Sequence, residues 1–103
     1  MINIEKICFE IIGNVGSAKS MYIEAIQLAK KNQIDAAKNM IKEGNEVYKI
    51  GHKAHFELLT KTANAEDVPI NLLLMHAEDQ LIAADTFSIM AKEIIELYEK
   101  LNK

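Results

Sequence analysis

Apolar residues recur along this chain in three long runs at three- and four-residue steps, the period of a helix with one buried face. The first stripe is Ile4, Ile7, Ile11, Val15, Ala18, Tyr22, Ala25 and Leu28, and it predicts a helix over about 4–30. Gly13 and Gly16 weaken it, each by roughly 1 kcal/mol relative to Ala, and mark either a close helix contact or a kink. A polar break, Lys30-Lys31-Asn32-Gln33, follows, with Asn32 and Asp35 as a capping signal for the next helix. The second stripe, Ile34, Ala37, Ile41, Gly44, Tyr48, Gly51, His55 and Leu58, predicts a helix over about 34–63, and the charged residues largely avoid it. In the second break, Asn64 suits a helix C-terminus and Asp67 a cap. Pro69 then falls in a first turn, where its missing N–H does no harm. A third helix over about 69–101 results, with Lys100 and Lys103 opposing its dipole.

Helices of about 30 residues are rods of roughly 45 Å at a 1.5 Å rise, and short connections make sequential neighbours antiparallel. The expected fold is all-α, an antiparallel up-down-up three-helix bundle in one domain over 1–103. The third helix departs from a single stripe. Leu72, Leu73, His76, Asp79, Gln80, Ala83, Phe87 and Met90 form one side, while Leu74, Leu81, Ala84, Ile89 and Ala91 cover much of the rest. A helix apolar nearly all round needs burial on all sides, and two partners in a small bundle cannot supply it. The third helix is therefore expected to pack against its own copies in an oligomer.

Composition narrows the function classes. Of 103 residues, 50% are hydrophobic and 26% charged, which fits a folded chain rather than a disordered one. One Pro, four Gly and no Trp fit a few long helices. The net charge is −3 and the lysines are dispersed, so no nucleic-acid footprint is present. The apolar runs are too short to span a bilayer, and the N-terminus, with Glu5, Lys6 and Glu10, does not read as a signal peptide. A lone cysteine, Cys8, excludes an internal disulfide framework and reads as a small buried side chain on a helix. A soluble cytoplasmic protein is expected, without membrane insertion.

The chemistry concentrates in Leu74-Met75-His76-Ala77-Glu78-Asp79-Gln80-Leu81, where polar groups stand in the most apolar third of the chain. His76, Asp79 and Gln80 share a helix face at i, i+3 and i+4. His76 reads equally as a nucleophile, a metal ligand or a core histidine with local partners. Asp79 reads as a surface charge or as one of several carboxylates meeting at a symmetry axis. Converging carboxylates need protons or a hard cation such as Mg²⁺ or Ca²⁺. His52 and His55 lack a second ligand set and read as packing and hydrogen-bonding residues, the tyrosines as core-edge residues, and the methionines after Met1 as core filler. No phosphate-cradling loop follows Gly13 and Gly16, and no Ser or Cys has a readable triad. One placed histidine without a substrate-pocket motif suits a phosphoryl carrier.

With that motif, with Gly16-Ser17-Ala18-Lys19-Ser20 and with Ala54-His55-Phe56-Glu57-Leu58-Leu59, the chain resembles the lactose/cellobiose-type enzyme IIA of the bacterial phosphoenolpyruvate-dependent sugar phosphotransferase system. The resemblance covers essentially the whole chain. It implies that His76 takes phosphate from phospho-HPr as a tele-phosphohistidine and passes it to a cysteine of the cognate IIB protein, for uptake of a β-linked disaccharide of the lactose or cellobiose/chitobiose type. It also implies a homotrimer with a nine-helix core and a divalent metal, Mg²⁺, on its axis, held by one Asp79 from each subunit. Gln80 stands where some members have histidine and receives no catalytic role. Leu72, Leu73, Met75 and Ala83 are candidates for an apolar collar around His76. Two other readings stand beside this one: a histidine phosphotransfer domain of two-component signalling, and a non-catalytic helical assembly module.

Overall fold

The computed structural model describes residues 3–102 and consists of three helices: α1 (Ile4–Lys30), α2 (Ile34–Ala63) and α3 (Leu72–Leu101). They form an elongated bundle 54 Å long in which α1 packs against both other helices, and α2 and α3 meet each other least. The expected all-α three-helix bundle is observed. The helix bounds agree for α1 and α2 and differ at the start of α3.

That difference has a local cause. Asn71, extended at φ −143° and ψ 177°, accepts a hydrogen bond from Leu74 N through its carboxamide oxygen. It is the cap that stops α3 from extending upstream. Asp67 caps nothing, and Pro69 lies in the connection rather than in a first turn. Asn3 caps α1 in the same way, accepting from Lys6 N at 3.1 Å.

The other junction residues also take unexpected roles. Asn32, expected to cap α2, sits at φ 62° just beyond α1, and Gln33 holds the α2 cap position without a side-chain bond. Asn32 N and Gln33 N donate to Ala29 O and Leu28 O, so the last carbonyls of α1 are satisfied by a left-handed turn. Ala65, at φ 58°, repeats this after α2, with Ala65 N and Glu66 N donating to Thr62 O and Lys61 O. Asn tolerates that conformation because its short polar side chain can hydrogen-bond locally, whereas for Ala it is unfavourable by about 1–2 kcal/mol. Ala65→Gly is expected to stabilise the fold by about 0.5–1 kcal/mol, read as a higher midpoint in denaturant.

The core divides into two clusters along the rod. One holds Ile7, Cys8, Ile11, Val15, Ala54, Leu58, Ala77, Leu81 and Ala84. The other holds Ala18, Tyr22, Ala25, Ala29, Ala37, Ile41, Ala91 and Ile95. Tyr22 is not at the core edge as expected: its exposure is 0%, and its hydroxyl donates to Asn45 Oδ1 at 2.7 Å. Burial pushes its pKa up, and the neighbouring Ser88 hydroxyl, itself buried, opposes that. Side chains from all three helices thus meet at one polar point in the interior.

Close helix contact occurs at glycines other than those first suspected. Nothing lies within 4 Å of a Cβ built on Gly13 or Gly16, and α1 runs unbroken through both. On α2, a Cβ at Gly44 would lie 2.7 Å from Tyr22 Cε1, and one at Gly51 would lie 2.7 Å from Val15 Cγ1. Gly44→Ala forces the buried Tyr22 ring aside, with an overpacking penalty of about 1–3 kcal/mol that outweighs the helix-propensity gain of about 1 kcal/mol. Gly13→Ala carries only the gain. Thermal denaturation is expected to move down for the first variant and up for the second.

Candidate functional site: the first turns of α3 and its outward face

The inward stripe of α3 is Ala77, Leu81, Ala84, Ser88, Ala91 and Ile95. Small residues dominate it, so α3 lies close against its neighbours and has a narrow buried face. Its outward side is apolar as well. Leu72, Met75, Asp79, Ile82, Thr86, Ile89, Glu93 and Leu97 are all exposed and follow three- and four-residue steps. This is the spacing of a helix that packs along a seam against another helix. Ile82 is 64% exposed although it lies in the middle of the rod. Met75 and Met90, expected as core filler, belong to this outer surface.

His76 stands in the second turn of α3 and is exposed, with Asp79 exposed one turn on and Gln80 half-buried. Among the described residues, no side-chain hydrogen bond or ion pair involves His76 or Asp79. His76 is therefore not a core histidine with local partners: its ring nitrogens are open to an incoming group. Of the suggested apolar collar, Leu73 is half-buried, while Leu72, Met75 and Ala83 are exposed beside the imidazole's helix face. Asp79 does not lie on a seam buried within the chain, because the face that carries it has no intrachain partner.

The remaining candidates separate from this pair. On α2, His55 Nδ1 donates to Glu78 Oε1 at 2.8 Å, with both side chains largely covered. His52 is exposed, and its ring centroid lies 6.0 Å from Tyr48 and 6.2 Å from His55. His52 makes only ring contacts among the described residues, whereas the packing and hydrogen-bonding expectation agrees with the arrangement of His55. Its partner residue, Glu78, could not be read from helix periodicity, since it depends on how α2 and α3 are staggered. Cys8 is buried, and burial, with the charges of Glu78 and Glu5 adding to it, pushes its thiol pKa up. A thiol so placed is a poor nucleophile. No group of three potential His, Cys, Asp or Glu metal ligands forms among the described residues. No described helix is long and apolar enough to cross a membrane.

The fold and these residues have counterparts in known proteins. The PTS system lactose/cellobiose-specific IIA subunit family matches residues 6–99. The lichenan-specific phosphotransferase enzyme IIA component of Bacillus subtilis is 37% identical over 96% of this chain and 90% of its own length. The crystal structure of the PTS cellobiose-specific enzyme IIA from Bacillus anthracis superimposes with a TM-score of 0.95 at 36% identity, over 99% of this chain and 94% of that one. A solution structure of the IIA(Chitobiose)–HPr complex of the Escherichia coli phosphotransferase system superimposes with a TM-score of 0.78 at 28% identity, over the full length of both chains. A bundle of this shape, matched along nearly its whole length in sequence and in structure, belongs to the lactose/cellobiose-specific IIA subunit family of the sugar phosphotransferase system.

Proposed function

We propose that His76 is the phosphate-carrying residue of this IIA subunit, charged by phospho-HPr and discharged to a cysteine of the cognate IIB protein. The observation that carries this reading is the state of His76. It is an exposed imidazole with no intrachain partner, set in a rigid helix beside exposed apolar residues. HPr as the partner is supported by the similarity to a IIA subunit solved in complex with HPr.

The chemistry asks little of the chain beyond placement. A neutral ring nitrogen of His76 attacks the phosphorus of the donor's phosphohistidine in line. The new P–N bond forms as the donor P–N bond breaks, and the donor imidazole leaves. A thiolate on the acceptor later takes the phosphoryl group by the same displacement and frees His76. Most of the rate comes from alignment and from exclusion of water, because water would hydrolyse the phosphohistidine. Ala83 and the half-buried Leu73, which flank His76 away from the outward seam, give a docked partner apolar surface to close against. A β-linked oligosaccharide as the substrate class of the system is supported by similarity to proteins named for lactose, lichenan and cellobiose.

The working form is read as a homotrimer in which three α3 helices meet along the outward seam, giving nine helices in all. Asp79 is then the single charged ligand each copy brings to the axis at its level. One carboxylate per chain makes no metal site alone, and three at one point repel. Oxygen donors of this kind fit a hard divalent cation such as Mg²⁺, whose contribution is charge neutralisation between copies. His76 lies off the seam and needs no metal.

Incubation with phosphoenolpyruvate, enzyme I and HPr, followed by peptide mapping under mild alkaline conditions, tests the assignment. One phosphate per chain on the peptide holding His76 is expected. Label on the peptide holding His52 and His55 would overturn it.

A further inference from the structure

We infer that the His55–Glu78 hydrogen bond is a positioning strut for His76, an inference that rests on the phosphocarrier reading above. The start of α3 is weakly held. The connection before it is largely exposed, with Ile70 84% exposed; Asn71 caps the backbone of the first turn without tying it to another helix, and Val68 is the half-buried residue by which the connection packs on the core. Inward, Ala77 presents only a methyl group at this level, flanked by the half-buried Leu73 and Leu74. The contact of α3 with α2 is the slightest in the bundle. Across that seam the two side-chain ion pairs given by the described residues are Lys38–Glu99 and His55–Glu78. Lys38–Glu99 joins exposed groups near the far end of α3, where solvent leaves such a pair little strength. His55–Glu78 is the more covered pair and lies within the α3 turns that carry His76.

Glu78 follows His76 by two residues, about 3 Å along the axis and roughly 200° further round it. The two side chains therefore leave opposite sides of one rigid turn. Tying Glu78 to α2 fixes both the tilt and the rotation of that turn, and so the direction in which the His76 imidazole faces its donor. His55 is held in turn by α2, which is anchored to α1 by the close contacts at Gly44 and Gly51. The requirement is a hydrogen bond of the right length, not a charge. An amide at position 78 can accept from His55, and an amide at position 55 can donate to Glu78.

Single-turnover transfer from phospho-HPr to the full-length protein is the test, with saturation and maximal rate separated by varying the donor. His55→Ala and Glu78→Ala are each expected to lower the maximal rate about tenfold with the half-saturating donor concentration little changed, a loss typical of a small misalignment. Glu78→Gln and His55→Asn, whose carboxamide nitrogen stands in for Nδ1, are expected to stay within about twofold of the parent, and the double alanine variant to be no slower than the single ones, because both members act as one unit. Circular dichroism at the assay temperature selects folded variants. If an alanine variant does not fold, the two amide variants and the helicity-matched His55→Phe carry the comparison. Parental rates in the alanine variants would overturn the strut, as would amide variants as slow as the alanines, or additive losses in the double variant. Failure of the parent protein to accept any phosphate would overturn the phosphocarrier reading instead.

Discussion

His76→Ala is expected to abolish phosphate acceptance from phospho-HPr entirely while leaving helix content and melting temperature within experimental spread. The imidazole is exposed and makes no side-chain bond within the described residues, so its removal opens no cavity and strands no buried partner. Surface substitutions of this kind usually change stability by less than about 0.5 kcal/mol. Its loss removes the ring nitrogen that, on the proposed reading, forms the new P–N bond. No slower route is expected to take over: His55 is engaged with Glu78, Cys8 is buried with a raised pKa, and the exposed His52 lies on α2 beside Tyr48 and His55, away from the apolar residues around His76. A variant that still carried phosphate would place the acceptor elsewhere. Adding phospho-HPr and following the radiolabel by gel, with melting followed in parallel, separates lost chemistry from lost fold.

Ile82→Asp is expected to break the assembly into single chains, whereas Asp79→Leu is expected to keep it assembled and free of axial metal. Ile82 and Asp79 share the outward seam of α3. In the proposed trimer, burying Ile82, 64% exposed in the single chain, would contribute up to roughly 1.5–3 kcal/mol per chain. An aspartate there would place three further carboxylates at one level, without a cation arranged to hold them, at several kcal/mol each. At position 79 the change runs the other way. It replaces a like-charge cluster by packed apolar groups, an exchange that is often neutral or stabilising by about 1–4 kcal/mol. Light scattering gives the masses, and metal analysis after dialysis gives the ion. Dissociation of Asp79→Leu would show that the ion, rather than the apolar seam, holds the copies together.

What could be read from the sequence follows the physics of each signal. The stripes of α1 and α2 are single, uninterrupted and flanked by polar breaks, so their bounds and buried residues were legible. The start of α3 was not, because two capping signals compete there. Asp67 with Pro69 satisfies the rule for a first turn, and Asn71 satisfies it again four residues on. Only the backbone decides that Asn71 accepts from Leu74. Asn32 misled for a similar reason, since Asn serves both as a helix start and as a left-handed stop. The outward face of α3 was legible as an excess of apolar residues, although Ile89 fell on the outer side. His76 was legible as a polar residue out of place. The His55–Glu78 bond was not, because it spans two helices and depends on their stagger.

The narrow inward stripe of α3 has a consequence for how the protein behaves on dilution. Ala77, Ala84 and Ala91 bring the helix close but bury little apolar surface, while the larger Leu, Ile and Met side chains of α3 lie mostly outside. A single copy is thus left with a thin interior, and the proposed trimer would regain the missing burial. Stability is then subject to mass action, rising with the concentration of the chain itself. On that assembly, the robustness of the protein would depend partly on how much of it is made.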